Sequence, residues 1–190
     1  ISKIFRNASY TILGDINQTI NPYYRYESLE DIKKILPDSK YIELTKTYRS
    51  SEEIVEYSNR VLGLNHVTAI RRNKPVPVDE VVEGELNSQL RHDIEECKLH
   101  GKSIAIITKN QDECDKIYKM LSDTGISKID NSSKKFNRKF IVVPVYMAKG
   151  LEFDSVIIYT DKNNKYTKDE KYLYYVAITR AQHKLIVYNQ

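Results

Sequence analysis

The chain has 190 residues, 41% of them hydrophobic, and a formal net charge of +4. That length suits one domain, or one domain with a fragment attached, and the composition is sufficient to bury a core. The mildly basic balance permits contact with nucleic acid without arguing for it, and no run of ~18 apolar residues is present to span a membrane.

Cys97 and Cys114 have no metal-ligand spacing and fall on apolar helix faces, so they read as buried thiols in a reducing, cytoplasmic setting. The start, Ile1-Ser2-Lys3-Ile4-Phe5-Arg6, carries no signal peptide and no initiator methionine, and the expectation is a piece of something longer.

In chain order, Tyr10 to Leu13 reads as a short strand running into the turn Gly14-Asp15. Ser28 to Leu36 predicts a helix stopped by Pro37, and Tyr41 to Leu44 a strand. Ser50 with Glu53 offers a capping box. It opens a helix whose inner face is Ile54, Val55, Ser58, Val61 and Leu62 and which Gly63 closes. Val76 to Val82 alternates like an edge strand, with Pro75 and Pro77 beside it. Leu86, Leu90, Ile94 and Cys97 mark a helix ending at Gly101, and Ile104 to Ile107 is an apolar strand. Cys114, Ile117 and Leu121 stripe a helix ended by Gly125. Ile141 to Val143 and Val156 to Ile158 are two more buried strands; Asp169 to Ile178 is the last helix, and Leu185 to Tyr188 the last strand. Apolar strands alternating with amphipathic helices predict an α/β fold, a mainly parallel sheet covered on both faces. Ligands on such sheets gather at the carboxyl ends of the strands. Asp161–Lys171 and Lys128–Lys139 are lysine-rich and read as exposed loops.

Four segments bear chemistry, each expected at a strand–helix junction on one rim. Gly14-Asp15-Ile16-Asn17-Gln18 follows a strand, and Gln18 suits orienting a water or sensing a terminal phosphate; an ordinary Asp/Asn turn explains it as well. Thr47-Tyr48-Arg49-Ser50-Ser51 puts Arg49 beside a helix N-terminus, where anions are favoured, and Tyr48 within reach of a base; a packed tyrosine and a surface arginine are an equal alternative. Ala148-Lys149-Gly150-Leu151-Glu152-Phe153-Asp154 offers a glycine that admits close approach and a carboxylate suited to a ribose hydroxyl. Tyr175-Val176-Ala177-Ile178-Thr179-Arg180-Ala181 ends in an arginine whose planar fork of donors suits a phosphate, or else caps the helix. Gly101-Lys102-Ser103 is not a Walker A loop, because Glu96 stands where the first glycine is needed and a strand follows. No acidic pair in a strand context suggests magnesium ligands, so the chain has sensors for a triphosphate and no cradle for it.

That combination resembles the C-terminal half of UvrD/Rep-like superfamily 1 helicases, closest to the HelD and helicase IV branch. The four segments resemble, in order, motifs III, IV, V and VI of that family, over residues 10–190. The resemblance implies a three-layer α/β/α RecA-like domain of the P-loop NTPase type without its own Walker A loop. It implies a division of the chain: 1–37 is the tail of a first RecA-like domain, and 38–190 the second domain. ATP with Mg2+ is then held against an N-terminal half that supplies the phosphate loop and the metal ligands; no metal site is expected in this chain. Arg49 and Arg180 would contact the γ-phosphate, Gln18 would couple it to strand movement, Tyr48 would stack on adenine, Glu152 would hold the ribose and Gly150 would approach by its backbone.

Two departures point to the HelD-like branch. Pro144-Val145-Tyr146-Met147 stands where the family's usual Thr-x-His touches nucleic acid, and only 100 positions separate Arg49 from Lys149, too few for the large domain inserted there in UvrD. Some members of that branch act on RNA polymerase. The implied partners are therefore the N-terminal half, single-stranded DNA through Tyr146 and Lys149, or RNA polymerase. Lys134-Lys135-Phe136-Asn137-Arg138-Lys139-Phe140 and Arg71-Arg72-Asn73-Lys74 interleave basic with aromatic or polar residues, as a single-strand groove does and as an ordinary solvated loop does too.

Overall fold

A computed structural model describes residues 8–21, 28–64, 67–71, 76–81, 85–129 and 139–188. Among the described residues, eight strands and five α-helices carry the architecture. β1 (Lys46–Thr47) leads to α1 (Glu52–Leu62), followed by β2 (Thr68–Ala69), β3 (Asp79–Val81), α2 (Leu86–His100) and β4 (Ile104–Thr108). Then come α3 (Gln111–Met120), β5 (Ser127–Lys128), β6 (Phe140–Pro144), α4 (Val145–Ala148), β7 (Phe153–Tyr159), α5 (Lys171–Ile178) and β8 (Ala181–Tyr188).

β3 to β8 form one all-parallel sheet in the order β3-β8-β7-β4-β6-β5. β1 and β2 form a small separate parallel pair. The period of two along each strand sorts the core into two layers. Ala105, Ile107, Ile141, Val143, Val156, Ile158, Leu185 and Val187 face α1, α4 and α5. Ile104, Ile106, Val142, Ile157, Tyr159, Ile186 and Tyr188 face α2 and α3, where Leu90, Ile94, Cys97, Cys114 and Ile117 meet them. The result is the expected α/β/α sandwich, with β4 and β7 buried at the centre because they are apolar on both faces. Both cysteines are thiols outside any disulfide, buried in the second layer as their positions on apolar faces predict, and burial raises the Cys97 thiol to about 12.

Helix ends follow the sequence closely in places. Gly63 (φ 70°) and Gly125 (φ 78°) adopt the left-handed conformation after α1 and after the 3-10 turn Ser122–Thr124. β3 is an edge strand, as the flanking prolines predict, though Val82 and Pro75 lie outside the described residues.

Several expectations fail. Residues Tyr10–Leu13 are not a strand: they lie exposed outside the two sheets, and Ile12 and Leu13 face solvent. Leu29–Lys34 is helical as expected, but in the 3-10 form and stopping short of Leu36. Tyr41–Leu44 is not a strand either; pairing begins later, at Lys46, where β2 supplies a partner. The capping box at Ser50 does not form, because the helix starts one residue later with Ser51 as its N-cap. The Ser50 hydroxyl is instead drawn away to donate to the Ala181 carbonyl at 2.7 Å.

Candidate functional site

The strands end at two rims, and the polar side chains divide between them. At the carboxyl rim of β4 and β7 lies a cavity of about 570 Å3, lined by Asn110, Glu113, Lys116, Asp161 and Asn164 among others. Its polar groups satisfy one another. The buried Glu113 carboxylate accepts from the Lys109 N–H (2.9 Å), the Asp161 N–H (2.9 Å) and the Asn164 amide (2.8 Å). Lys116 pairs with Asp161 and donates to the Tyr159 hydroxyl at 2.9 Å. The backbone donors that would greet an anion at this rim already hold a carboxylate of the chain itself.

Most of the residues singled out by sequence gather at the opposite, amino rim. Glu152 immediately precedes β7, Arg180 immediately precedes β8, and Arg49 lies just before α1. The expectation of a site at the carboxyl ends is corrected accordingly. The physical reason lies in connectivity: the chain enters β7 and β8 from loops on this side, and the carboxyl rim is closed by its own hydrogen bonds.

Arg180 is the largest fully buried side chain, 1% exposed. Its Nε donates to the Val176 carbonyl (3.0 Å), and one terminal nitrogen donates to the Leu151 carbonyl (3.2 Å). The other donates to Gln18 Oε1 (3.2 Å) and Thr179 Oγ1 (3.1 Å). Gln18 is itself oriented by donating its amide to Asp15 Oδ2 at 3.0 Å. Arg49 takes the other role at the rim: its side chain is 41% exposed and ion-pairs with Glu152 at 2.7 Å. The second Glu152 oxygen accepts from the Gln182 amide at 3.0 Å.

The two arginines sense each other. Burial, then the Arg49 charge, lowers the proton affinity of Arg180, and Glu152, Tyr175 and Asp15 oppose that effect. Tyr175 is pushed up to about 12, by burial first and then Asp15, while both arginines pull it down. Gln18, Arg49, Glu152 and Arg180, from four separate segments, therefore form one electrostatic cluster. Tyr48 stands next to it with its ring outward, 72% exposed. Gly150 is exposed and takes φ 85°, a left-handed conformation that favours glycine, in the loop leading to Glu152.

Tyr146 and Lys149 do not join the cluster. Tyr146 lies on α4, which leaves the carboxyl end of β6, and its hydroxyl faces Gln111 at 3.5 Å; Lys149 is exposed at the end of that helix. Of the two basic clusters, residues 72–74 and 134–138 lie outside the described residues. Arg71 points to the Arg49 carbonyl and to His183.

Two features escape a reading by motif. Gly101-Lys102-Ser103 is an anchor for a carboxylate of the chain: Asp154 Oδ2 accepts from the Lys102 N–H, the Ser103 N–H and the Ser103 hydroxyl at 2.8, 2.9 and 2.8 Å. Gln182 is the other; its only sequence signal is that it lies two residues beyond Arg180.

A parallel sheet covered on both faces, with two arginines and a carboxylate gathered on its amino rim, defines a class: an α/β sandwich domain. The chain belongs to the UvrD-like helicase C-terminal domain family, whose model matches residues 88–190, more than half of it. Among solved structures it is similar to the C-terminal domain of a possible DNA helicase from Lactobacillus plantarum WCFS1. That likeness has 26% sequence identity and a TM-score of 0.60, and covers 75% of this chain and 86% of that one. No curated protein matches the sequence. Membership of this family makes the chain a domain of a helicase-type enzyme. Among the described residues no helix is long and apolar enough to cross a membrane.

Proposed function

We propose that the chain is the C-terminal motor domain of a cytoplasmic, ATP-dependent superfamily 1 DNA helicase or translocase. It contributes positive charge to a triphosphate gripped against an N-terminal RecA-like half. Residues 1–37 are the tail of that first half and 38–190 the second domain. The observation that carries this is the convergence of Gln18, Arg49, Glu152 and Arg180 on one rim.

Each residue has a chemical task. Arg49 and Arg180 neutralise charge developing on the transferred phosphoryl group, as arginine fingers do. Arg49 reaches it by exchanging Glu152 for phosphate oxygens. Arg180 reaches it through the nitrogen now held by Gln18, so the Gln18 amide is the group displaced or reoriented when phosphate arrives. Glu152, released from Arg49, accepts from ribose hydroxyls; Tyr48 offers an exposed face for adenine, and the backbone at Gly150 lets the nucleotide come close. Mg2+ shields the phosphates, and its ligands belong to the N-terminal half. Single-stranded DNA is the expected track, with Tyr146 and Lys149 as its contacts in this chain.

The test is Arg49→Ala in the complete protein. ATP hydrolysis falls by about a thousandfold or more, while unfolding curves stay as in the wild type. Undiminished hydrolysis overturns the proposal. The 190-residue chain alone binds ATP weakly or not at all, and micromolar affinity by calorimetry would contradict the division between two halves.

A HelD-like remodeller of RNA polymerase is the second reading. It is favoured by Pro144-Val145-Tyr146-Met147 and by the short interval from Arg49 to Lys149, whose described residues supply β2 of the small pair and β3 to β6 of the main sheet with their connecting helices. Co-purification with polymerase and failure to unwind a tailed duplex select that reading. Robust unwinding without polymerase rejects it.

A further inference from the structure

We infer that Ser50 and Gln182 are positioning residues that hold Arg49 in register with Arg180, by clipping the loop before α1 onto the first residues of β8. This rests on the proposal that both arginines serve one phosphate.

The clip has three bonds. The buried Ser50 hydroxyl donates to the Ala181 carbonyl at 2.7 Å. The Ser51 N–H donates to the Gln182 carbonyl at 3.0 Å. The Gln182 amide donates to Glu152, whose other oxygen pairs with Arg49. Ala181 and Gln182 directly follow Arg180, so whatever fixes them to residues 50–51 fixes the spacing of the two backbone segments that carry Arg49 and Arg180. Ser50 and Ser51 are each 5% exposed, so water does not compete for these bonds.

An irregularity in the sheet makes Gln182 available. β7 and β8 pair Phe153 with Ala181 but Ser155 with Lys184, so two residues of β8, Gln182 and His183, stand opposite Asp154 alone. Such a bulge re-aims side chains at the end of a strand. Here Gln182 turns to Glu152 while His183 lies 3.7 Å from Asp154. The Arg49 side chain is 41% exposed, and a partly exposed ion pair alone orients it poorly. The clip supplies the missing order: the backbone is held from below and the counter-ion from the side.

The experiment is a set of double-mutant cycles in the complete protein, read as single-turnover ATP hydrolysis so that residual rates are resolved. Ser50→Ala and Gln182→Ala each lower the rate about fivefold to tenfold. In an Arg49→Ala background neither lowers it further, within twofold, because each acts through Arg49. Ser50→Thr, which keeps the hydroxyl, restores most of the rate. Should Ser50→Ala fold poorly, Gln182→Ala carries the test, since its side chain lies at the open edge of the rim. Multiplicative losses in the Arg49→Ala background, or single variants with wild-type rates, overturn the positioning role alone. Wild-type hydrolysis by Arg49→Ala itself overturns both this role and the function on which it rests.

Discussion

Replacing Arg180 by alanine unfolds the chain more easily even with no nucleotide present, and the size of the effect follows from its partners. The guanidinium makes four hydrogen bonds, and three of the acceptors survive its loss differently. The Val176 carbonyl keeps the Thr179 hydroxyl at 3.2 Å. Gln18 is half-buried and turns to water. The half-buried Leu151 carbonyl loses its guanidinium donor, a penalty toward the low end of about 1–3 kcal/mol. Deleting the packed aliphatic stem adds about 1 kcal/mol or more. Release from the desolvated charge returns part of this, so the net destabilisation is about 1–3 kcal/mol, a sizeable share of a typical domain stability. Arg180→Met fills the stem without burying a charge and is milder than alanine by about 1 kcal/mol or more. Urea unfolding of the 190-residue chain, followed by circular dichroism, measures both. A midpoint for Arg180→Ala unchanged from wild type refutes the reasoning, because a side chain in water loses nothing on truncation. The same result bears on activity assays: loss of hydrolysis in Arg180→Ala mixes folding with chemistry, whereas Arg49→Ala does not.

Arg49→Ala changes stability by about 0.5 kcal/mol or less, as expected for a half-exposed ion pair, and thermal unfolding of the same chain checks it. Gly101→Ala is expected to destabilise by about 2–3 kcal/mol. Its methyl would stand 2.1 Å from the Asp154 Cβ, and that side chain cannot move without surrendering its bonds to Lys102 and Ser103; a urea midpoint equal to wild type would contradict this. The His183 imidazole is held below its ordinary range, by burial first and then by Arg71, against the opposing pull of Asp154. The unfolded chain therefore takes up the proton first, so stability falls as pH drops through about 6.5 toward the lower folded value. Unfolding midpoints of wild type and His183→Asn between pH 7.5 and 5.5 test this; equal slopes for the two refute it.

The sheet was legible where strands are apolar on both faces. Ile104 to Ile107, Ile141 to Val143, Val156 to Ile158 and Leu185 to Tyr188 have no alternative to burial, and their burial fixes the layers. Tyr10–Leu13 and Tyr41–Leu44 misled because a run of β-branched and aromatic residues states a preference that only a pairing partner realises, and the described structure gives them none. Ser50 misled for a related reason. A serine three residues before a glutamate suits a capping box, yet a carbonyl 131 positions away in sequence took its hydroxyl. Local pattern does not register distant competition.

The same limit explains what was visible of the rim. Arg49, Glu152 and Arg180 were legible because charged side chains at strand and helix ends already suggest chemistry. Ser50 and Gln182 were not, because their role lies in whom they touch. The structure also separates two arginines that sequence treats alike. Arg180 is buried and bonded on all sides by its own chain, while Arg49 is half-exposed and tied by one ion pair. In the proposed mechanism the first is a fixed charge that a phosphate approaches, and the second a movable one that follows Glu152 and the clip. Reorganisation at the moment of hydrolysis then falls on the exposed arginine, where water and a neighbouring carboxylate make exchange inexpensive. The buried one needs only Gln18 to give way. Under that proposal, a rim built this way would keep one guanidinium preorganised for the reaction and leave the other to move with its counter-ion.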